Sequence, residues 1–308
     1  MNNPKYDLII VGSGPAGLTA GLYASRYKIK TLIIGHINGG LMTESHKICN
    51  FPTEKDITGF ELGQKMAENA ASQGAEIINT EVSNIVKTDS GYLVTTADNK
   101  NFEAKTVLLA LGTTHRKLNL ENENKFLGRG VSYCATCDGM FYKNKTVAVI
   151  GGGNSALTSA LYLSDVAQKV FLIYRGSELK GEPAWIENIN KTNNIEILLN
   201  TNINSFGGGT NLEYIEISNT NNEGKKIDLN GVFLEIGTEP KNYEFLGKLN
   251  IARNEGGYIK VDTSQKTSTS GIWAAGDITD ASNNFRQIIT ACSEGSIAAE
   301  DIFKYLKK

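Results

Sequence analysis

Two strand–glycine–helix units, one at the N-terminus and one near the middle, constrain the fold of this 308-residue chain more than any other feature. In the first, YDLIIV (6–11) is a short apolar run that meets GSGPAG (12–17) and then LTAGLYASRY (18–27), whose content is helical. TLIIG (31–35) follows as a second strand. In the second, KTVAVIG (145–151) leads into GGGNSA (151–156), the helix-like LTSALYLSDVA (157–167) and the strand KVFLIYRG (169–176). Gly12, Gly14 and Gly17 fill the slots of G-x-G-x-x-G, and Gly151, Gly153 and Ala156 fill them in the second unit. The first slot permits a tight turn, the second lets a pyrophosphate approach the backbone, and the third lets the helix pack close to the sheet. The phosphates then lie at a helix N-terminus, where free N–H groups and the dipole favour negative charge. One such fingerprint is weak evidence. Two, each between a strand and a helix, imply two nucleotide sites on two Rossmann-like units.

At roughly 100–200 residues per domain, the length predicts about two domains. The net charge of −2 gives no electrostatic case for nucleic acid or an anionic membrane. Apolar runs such as Leu8–Val11 and Val107–Leu111 fall far short of the ~20 residues that span a bilayer. MNNPKYDLIIVG has no secretory h-region or cleavage site, so a cytoplasmic protein is expected. Four cysteines are too few for a disulfide scaffold; Cys49 and Cys292 lie alone and read as small buried hydrophobes, with any redox role left open.

Elsewhere, residues 91–112 read as a strand, a turn and a second strand ending at Gly112, and residues 200–237 as a β-meander rich in turn signals. TSGIWAAGDITD (269–280) reads as a short strand, Ile272–Ala275, ending in Gly276-Asp277. An acid there can reach a ribityl hydroxyl, or can serve as an ordinary N-cap. Residues 285–308 read as a long terminal helix. The fold class is α/β: two Rossmann-like three-layer nucleotide-binding domains with small antiparallel β-meanders.

YCATCDG (133–139) lies just before the second Rossmann strand. Zinc is one reading of Cys134 and Cys137, but structural sites usually need four Cys or His ligands, often as two CxxC pairs, and this chain has one CxxC and three scattered histidines, His36, His46 and His115. Inert core thiols are another. A redox disulfide, whose reactivity follows thiolate character, is the reading that dominates in a chain with two nucleotide folds. Asp138 fits that chemistry, because opening a disulfide releases a thiolate that must be protonated. It can also cap a helix beginning near Gly139.

These residues carry a family likeness. The chain closely resembles, essentially end to end, the low-molecular-weight, bacterial-type thioredoxin reductases, which are FAD-dependent pyridine nucleotide-disulfide oxidoreductases. The shared stretches include GSGPAG, GG (39–40), NFP (50–52), ALGT (110–113), KFLGRGVSYCATCDGMFYKNKTVAVIGGGNSA (125–156), IGTEP (236–240), GYIKVD (257–262), AAGD (274–277) and FRQ (285–287). The resemblance implies a discontinuous FAD domain over about 1–114 and 243–308, with the second nucleotide domain inserted at about 115–242. It implies a homodimer, a flavin between the domains, and an inserted domain that rotates. It also implies that a reduced nicotinamide gives a hydride to FAD, which reduces the Cys134–Cys137 disulfide. Cys137 would then face the flavin, Cys134 would attack the disulfide of thioredoxin or a thioredoxin-like partner, and Asp138 would be the acid–base group. FAD contacts carry over to Gly12, Ser13, Gly14, Pro15, Ala16, Gly40, Leu41, Asn50, Gly112, Gly276, Asp277, Arg286 and Gln287. The nicotinamide nucleotide would contact Gly151, Gly153, Asn154, Ser155, Arg175 and Lys180.

One departure leaves the electron donor open. NADPH-using members carry H-R-R-x-x-x-R after the second strand of this unit, and its cations hold the 2′-phosphate. Here the stretch is YRGSELK, with Tyr174, Gly176 and Lys180 in place of a histidine and two arginines, and Arg175 retained. Lysine is a point charge where arginine is a bidentate fork. No acid replaces Gly176 to bind an NADH ribose; Glu178 is the nearest. NADPH, NADH and a non-nucleotide donor all stay open. A ferredoxin-dependent flavin thioredoxin reductase, a flavin dithiol oxidase using oxygen, and a non-catalytic redox sensor are the rival readings.

Overall fold

The computed structural model describes residues 5–219 and 224–308. The chain divides into two compact units, Met1–Thr114 with Glu239–Lys308, and His115–Thr238. In this division the chain returns to the first unit at Glu239.

The first unit opens with β1 (Lys5–Val11), α1 (Pro15–Arg26), β2 (Thr31–Gly35), α2 (Gly59–Ser72) and β3 (Glu76–Asn79), followed by β4 (Val82–Thr88), β5 (Gly91–Thr96) and β6 (Asn101–Leu109). The sheet order is β3-β2-β1-β6-β5-β4. Strands β1, β2, β3 and β6 run parallel, whereas β4 and β5 form an antiparallel hairpin on the first half of β6. Because β1 is central, both of its faces are covered, so its second half, Leu8–Val11, is apolar without alternation. The pleat then divides them. Leu8 and Ile10 pack with Leu18, Ala20 and Ala24 of α1 and Ala67 and Ala70 of α2. Ile9 and Val11 pack on the opposite side with Ile85, Val94, Phe245 and Ile259. Each fully buried leucine, isoleucine or phenylalanine among them stabilises the fold by about 1.5–3 kcal/mol.

The second unit repeats this design. It contains β7 (Thr146–Ile150), α3 (Asn154–Ser164), β8 (Lys169–Ile173), α4 (Pro183–Lys191), β9 (Ile195–Leu198), β10 (Thr201–Gly207), β11 (Tyr214–Asn219), β12 (Gly224–Asp228) and β13 (Gly231–Leu234). The parallel sheet runs β9-β8-β7-β13, with the short Val131–Ser132 strand outside β13. Val147, Val149, Val170 and Leu172 face Leu157, Ala160 and Leu163 of α3. Ala148, Ile150 and Ile173 face Phe206, Ile215 and Ile217 of the antiparallel β10-β11-β12 sheet. The expected meander thus ends at β12; residues 220–223 within it lie outside the described residues. Strand β13 leaves it for the parallel sheet, because all four of its residues are buried and a half-exposed hairpin would leave one face wet.

The chain then returns to the first unit with β14 (Ile272–Ala274), which pairs parallel with the end of β6, and α5 (Ile288–Leu306). Helix α5 begins three residues later than the sequence suggests. Gln287 is its N-cap, with a reciprocal capping pair to Thr290, and the backbone before it is not helical. Helices α1 and α3 begin earlier than expected, directly on Gly14 and Gly153 as N-caps. Among the described residues, no helix is long and apolar enough to cross a membrane.

Candidate functional site

The turn after β1 is enforced by sterics. Gly12 has φ +116°, and a Cβ on it would lie 2.0 Å from the Ala110 oxygen. A Cβ on Gly17 would lie 1.9 Å from the Gly12 oxygen, so the helix can sit this close only on glycine. Gly14 differs. A Cβ there would meet nothing nearer than the Gly39 oxygen at 4.0 Å, so the space beside it is open. Pro15 starts α1 and no side chain caps it. The first-turn donors and the helix dipole therefore remain available to an anion. Ala16 is buried behind them.

The loop after β2 folds onto this turn. The Gly39 N–H donates to the Ser13 oxygen at 2.7 Å, and the buried Ser13 hydroxyl donates to the Ile37 oxygen at 2.9 Å. A Cβ on Gly40 would lie 3.4 Å from Gly14 Cα, which puts the Gly40–Glu44 turn, with Leu41, beside the phosphate-type turn. Gly112 follows β6 with φ +60° and open space at its Cβ position. Asn38 Oδ1 and Thr113 Oγ1 are buried without a hydrogen-bond partner. Buried polar atoms left this way in a protein usually await a ligand or water.

The other end of this unit adds a connected polar chain. Asn50 Nδ2 donates to Gln287 Oε1 at 3.2 Å. Arg286 donates through Nε to the Asp277 carbonyl at 3.3 Å, and its guanidinium lies 3.9 Å from the centre of the Tyr258 ring. A Cβ on Gly276 would lie 2.9 Å from Ala16 Cβ, which joins this chain to the start of α1. Burial pushes the Asp277 carboxyl up to about 6; the Arg286 charge opposes this and the Glu294 charge adds to it. Glu294, 5% exposed, escaped the sequence reading, since an acid within a helix carries no local sign of burial.

In the second unit, Gly151 has φ +146°, and a Cβ there would lie 2.2 Å from the Glu235 oxygen. Gly153 caps α3 with nothing within 4 Å of its Cβ position, and Ala156 is fully buried. Ser155 is exposed at this helix start. Asn154, expected at the nucleotide, is held by Glu182. Asn154 Nδ2 donates to Glu182 Oε1 at 3.0 Å, and the Glu182 N–H donates to Asn154 Oδ1 at 2.7 Å. Glu182 was not foreseen, and it places a carboxylate beside the start of α3.

The segment after β8 also lies on this turn. The Lys180 N–H donates to the Gly152 oxygen at 2.7 Å. The Tyr174 ring fills the space where a Cβ on Gly152 or on Gly176 would go, at 2.6 and 2.5 Å. Arg175 and Lys180 are exposed, and neither has an ion-pair partner among the described residues.

Cys134 and Cys137 form a disulfide with Cα atoms 5.3 Å apart. Ser132 brackets Cys134, accepting its N–H at 3.0 Å and donating to its carbonyl at 3.3 Å. The Cys137 N–H donates to Cys134 Sγ at 3.0 Å and closes the short Ala135–Asp138 helix. Cys137 is exposed and Cys134 half-buried. Asp138 precedes the Gly139–Tyr142 turn, but its side chain makes no cap hydrogen bond, which leaves the carboxylate for other work. The Tyr142 phenol is raised by burial and by this nearby charge. Tyr133, stacked on His115 at 5.2 Å, donates its hydroxyl to the buried Glu123 at 2.6 Å and ties down the segment that enters the motif. Cys49 is exposed and so is not the buried hydrophobe expected; Cys292 is half-buried, and burial pushes its thiol up.

Comparison with known proteins agrees with this geometry. The chain is 39% identical over 305 residues to a thioredoxin reductase of Treponema pallidum, covering 98% of this chain and 97% of that protein. The crystal structure of T. acidophilum thioredoxin reductase superposes with a TM-score of 0.94 at 35% identity, covering 99% of this chain and 100% of that one. That of Lactococcus lactis thioredoxin reductase gives 0.93 at 34% identity, covering 98% and 99%. With the pyridine nucleotide-disulphide oxidoreductase model matching residues 6–295, this chain belongs to that family.

Proposed function

We propose that this chain is a flavin-dependent thioredoxin-disulfide reductase. The observation that carries the reading is the Cys134–Cys137 disulfide beside Asp138, in a chain with two glycine turns open to dinucleotides. In this reading FAD is held by the unit that contains β1 and α5. The residues fit it: an uncapped helix start, open space at Gly14, and the orphaned Asn38 and Thr113 oxygens. Gly12, Ser13, Gly14, Pro15 and Ala16 would hold the pyrophosphate. Gly40, Leu41, Asn50, Gly112, Gly276, Asp277, Arg286 and Gln287 would hold the remainder, with Asp277 accepting from a ribityl hydroxyl. Gly151, Gly153, Asn154, Ser155, Arg175 and Lys180 would bind the donor, NADPH or NADH. When bound, FAD supplies the passage of two electrons from a reduced nicotinamide to the disulfide.

The chain's own residues account for the remaining steps. Cys137 takes the electrons, and the Cys134–Cys137 bond opens. The Cys134 thiolate, next to the Cys137 N–H, attacks one sulfur of the partner disulfide. A mixed disulfide forms, and the partner's other sulfur leaves as a thiolate. Cys137 then attacks Cys134 Sγ, which restores the internal disulfide and releases the partner's second sulfur. Asp138 relays protons from solvent, one at a time, to these leaving thiolates.

The relatives named thioredoxin reductase support thioredoxin, or a protein like it, as the partner. The same reading takes the protein as a cytoplasmic homodimer, supported by the sparse cysteines and the family likeness. Anaerobic titration with NADPH and then NADH, followed by flavin absorbance, tests the donor. Bleaching by either nucleotide supports the reading. A flavin bleached by dithionite but by neither nucleotide contradicts it.

A further inference from the structure

Glu294 is the buried acid of α5, and both of its carboxylate oxygens are occupied. Oε2 accepts from the Gly276 N–H at 2.7 Å and from the Thr279 hydroxyl at 3.1 Å. Oε1 accepts from the Ser282 hydroxyl at 2.5 Å. The three donors span Gly276–Ser282, the strap that follows β14 and carries Asp277. Burying a carboxylate is costly unless donors are arranged around it, and here all three come from one short segment. That segment cannot simply settle elsewhere. Gly276 has φ +81°, and a Cβ on it would lie 2.9 Å from Ala16 Cβ and 3.7 Å from Ala291 Cβ. A Cβ on the neighbouring Gly295 would lie 2.2 Å from the Ala16 oxygen. The strap, the start of α1 and the middle of α5 therefore meet around this one side chain. Gly276, Asp277, Ser282, Phe285, Arg286 and Glu294 also share the walls of one small cleft.

We propose that Glu294 is a positioning residue of the flavin site: by holding Gly276, Thr279 and Ser282 it fixes the strap that presents Asp277, and its contribution to FAD binding is made through that strap. The proposal rests on the reading of this unit as the FAD site. Two roles can be separated. The hydrogen bonds set the geometry of the strap. The charge faces Asp277 together with the Arg286 guanidinium, and of the two only Glu294 disfavours an ionised Asp277.

The experiment is FAD titration of flavin-stripped protein, read by quenching of flavin fluorescence between pH 5 and 8, for wild type, Glu294→Ala and Glu294→Gln. The alanine variant loses the strap and binds FAD at least ~10-fold more weakly at pH 8. The glutamine variant keeps an acceptor for Gly276 and Thr279, and Ser282 can turn its hydroxyl to accept from the amide. Its affinity at pH 8 stays within about threefold of wild type. With the charge gone, acidification releases FAD from the glutamine variant at a lower pH than from wild type, a displacement that a merely structural role does not produce. An alanine variant that binds FAD like wild type overturns the proposal, as does a glutamine variant whose release midpoint coincides with the wild-type one. If the alanine variant does not fold, the glutamine variant decides alone. A wild-type protein that takes up no FAD fails the flavin-site reading itself, whereas unaltered variants of a flavin-binding wild type fail only this inference.

Discussion

The backbone N–H of Cys137 points at the sulfur of Cys134, 3.0 Å away. A donor fixed there favours the sulfur that must carry negative charge once the disulfide opens. This contact supports the proposed role of Cys134 as the nucleophile toward the partner, although Cys137 is the more exposed of the two. Cys137→Ser protein mixed with oxidised thioredoxin should accumulate a mixed disulfide through Cys134, visible by mass spectrometry. Cys134→Ser protein should accumulate none. The opposite pattern reverses the assignment.

Asp138 makes no cap, so its removal should cost chemistry and spare the fold. Asp138→Asn should lower thioredoxin turnover by about 10²-fold or more. Its melting temperature should match that of wild type, and flavin reduction by the donor in a stopped-flow half-reaction should keep its rate.

Gly12 and Gly14 should fail differently. Gly12→Ala places a methyl 2.0 Å from a backbone oxygen at a φ that alanine avoids, so the flavin-free protein itself should be destabilised. Gly14→Ala meets open space in the flavin-free fold. It should melt like wild type when stripped and still bind FAD more weakly, because the methyl would stand where the proposed site brings the pyrophosphate. Equal melting temperatures for the two stripped variants contradict this.

The proposed donor site carries a coupled pair. A Cβ on Gly176 would lie 2.5 Å from the Tyr174 ring, which is already pressed on Gly152. Gly176→Arg alone should therefore not improve the KM for NADPH. Combined with Tyr174→His, it should lower that KM by about 10-fold or more, since a charge-assisted hydrogen bond is regained. A single arginine substitution that matches the double variant rules out the coupling.

Asp277 gives a pH dependence with a definite sign. Its carboxyl is raised from 3.8 to about 6 in the folded protein, chiefly by burial. The stability it lends the flavin-free protein is fully present below 3.8 and is lost as pH rises through about 6. Asp277→Asn stays neutral throughout. Without flavin, its melting temperature should gain on wild type from pH 4.5 to pH 7.5, and a constant difference contradicts the assignment.

Much of this was legible in the sequence because glycine turns are local steric codes. The Gly12 oxygen needs a bare carbon at Gly17, and three slots in six residues announce it. CATC beside Asp138 is equally compact. What escaped were side chains whose partners are distant in sequence. Glu294 reaches its donors 12 to 18 residues back, and Glu182 meets Asn154 across 28 residues. Neither pairing leaves a periodic trace. Strand β13 looked like the last turn of a meander, because a short apolar run does not say which sheet will bury it. Tyr174 read as the loss of a histidine, and its packing on two glycines became visible only once the chain was folded.

The most direct test is to mix the enzyme anaerobically with oxidised thioredoxin and a measured amount of the nucleotide that bleaches its flavin, then count new thiols on thioredoxin. Two thiols are expected for each nucleotide oxidised, and none with Cys134→Ser protein. Nucleotide oxidation without thioredoxin thiols, or thiols that persist without Cys134, would contradict it.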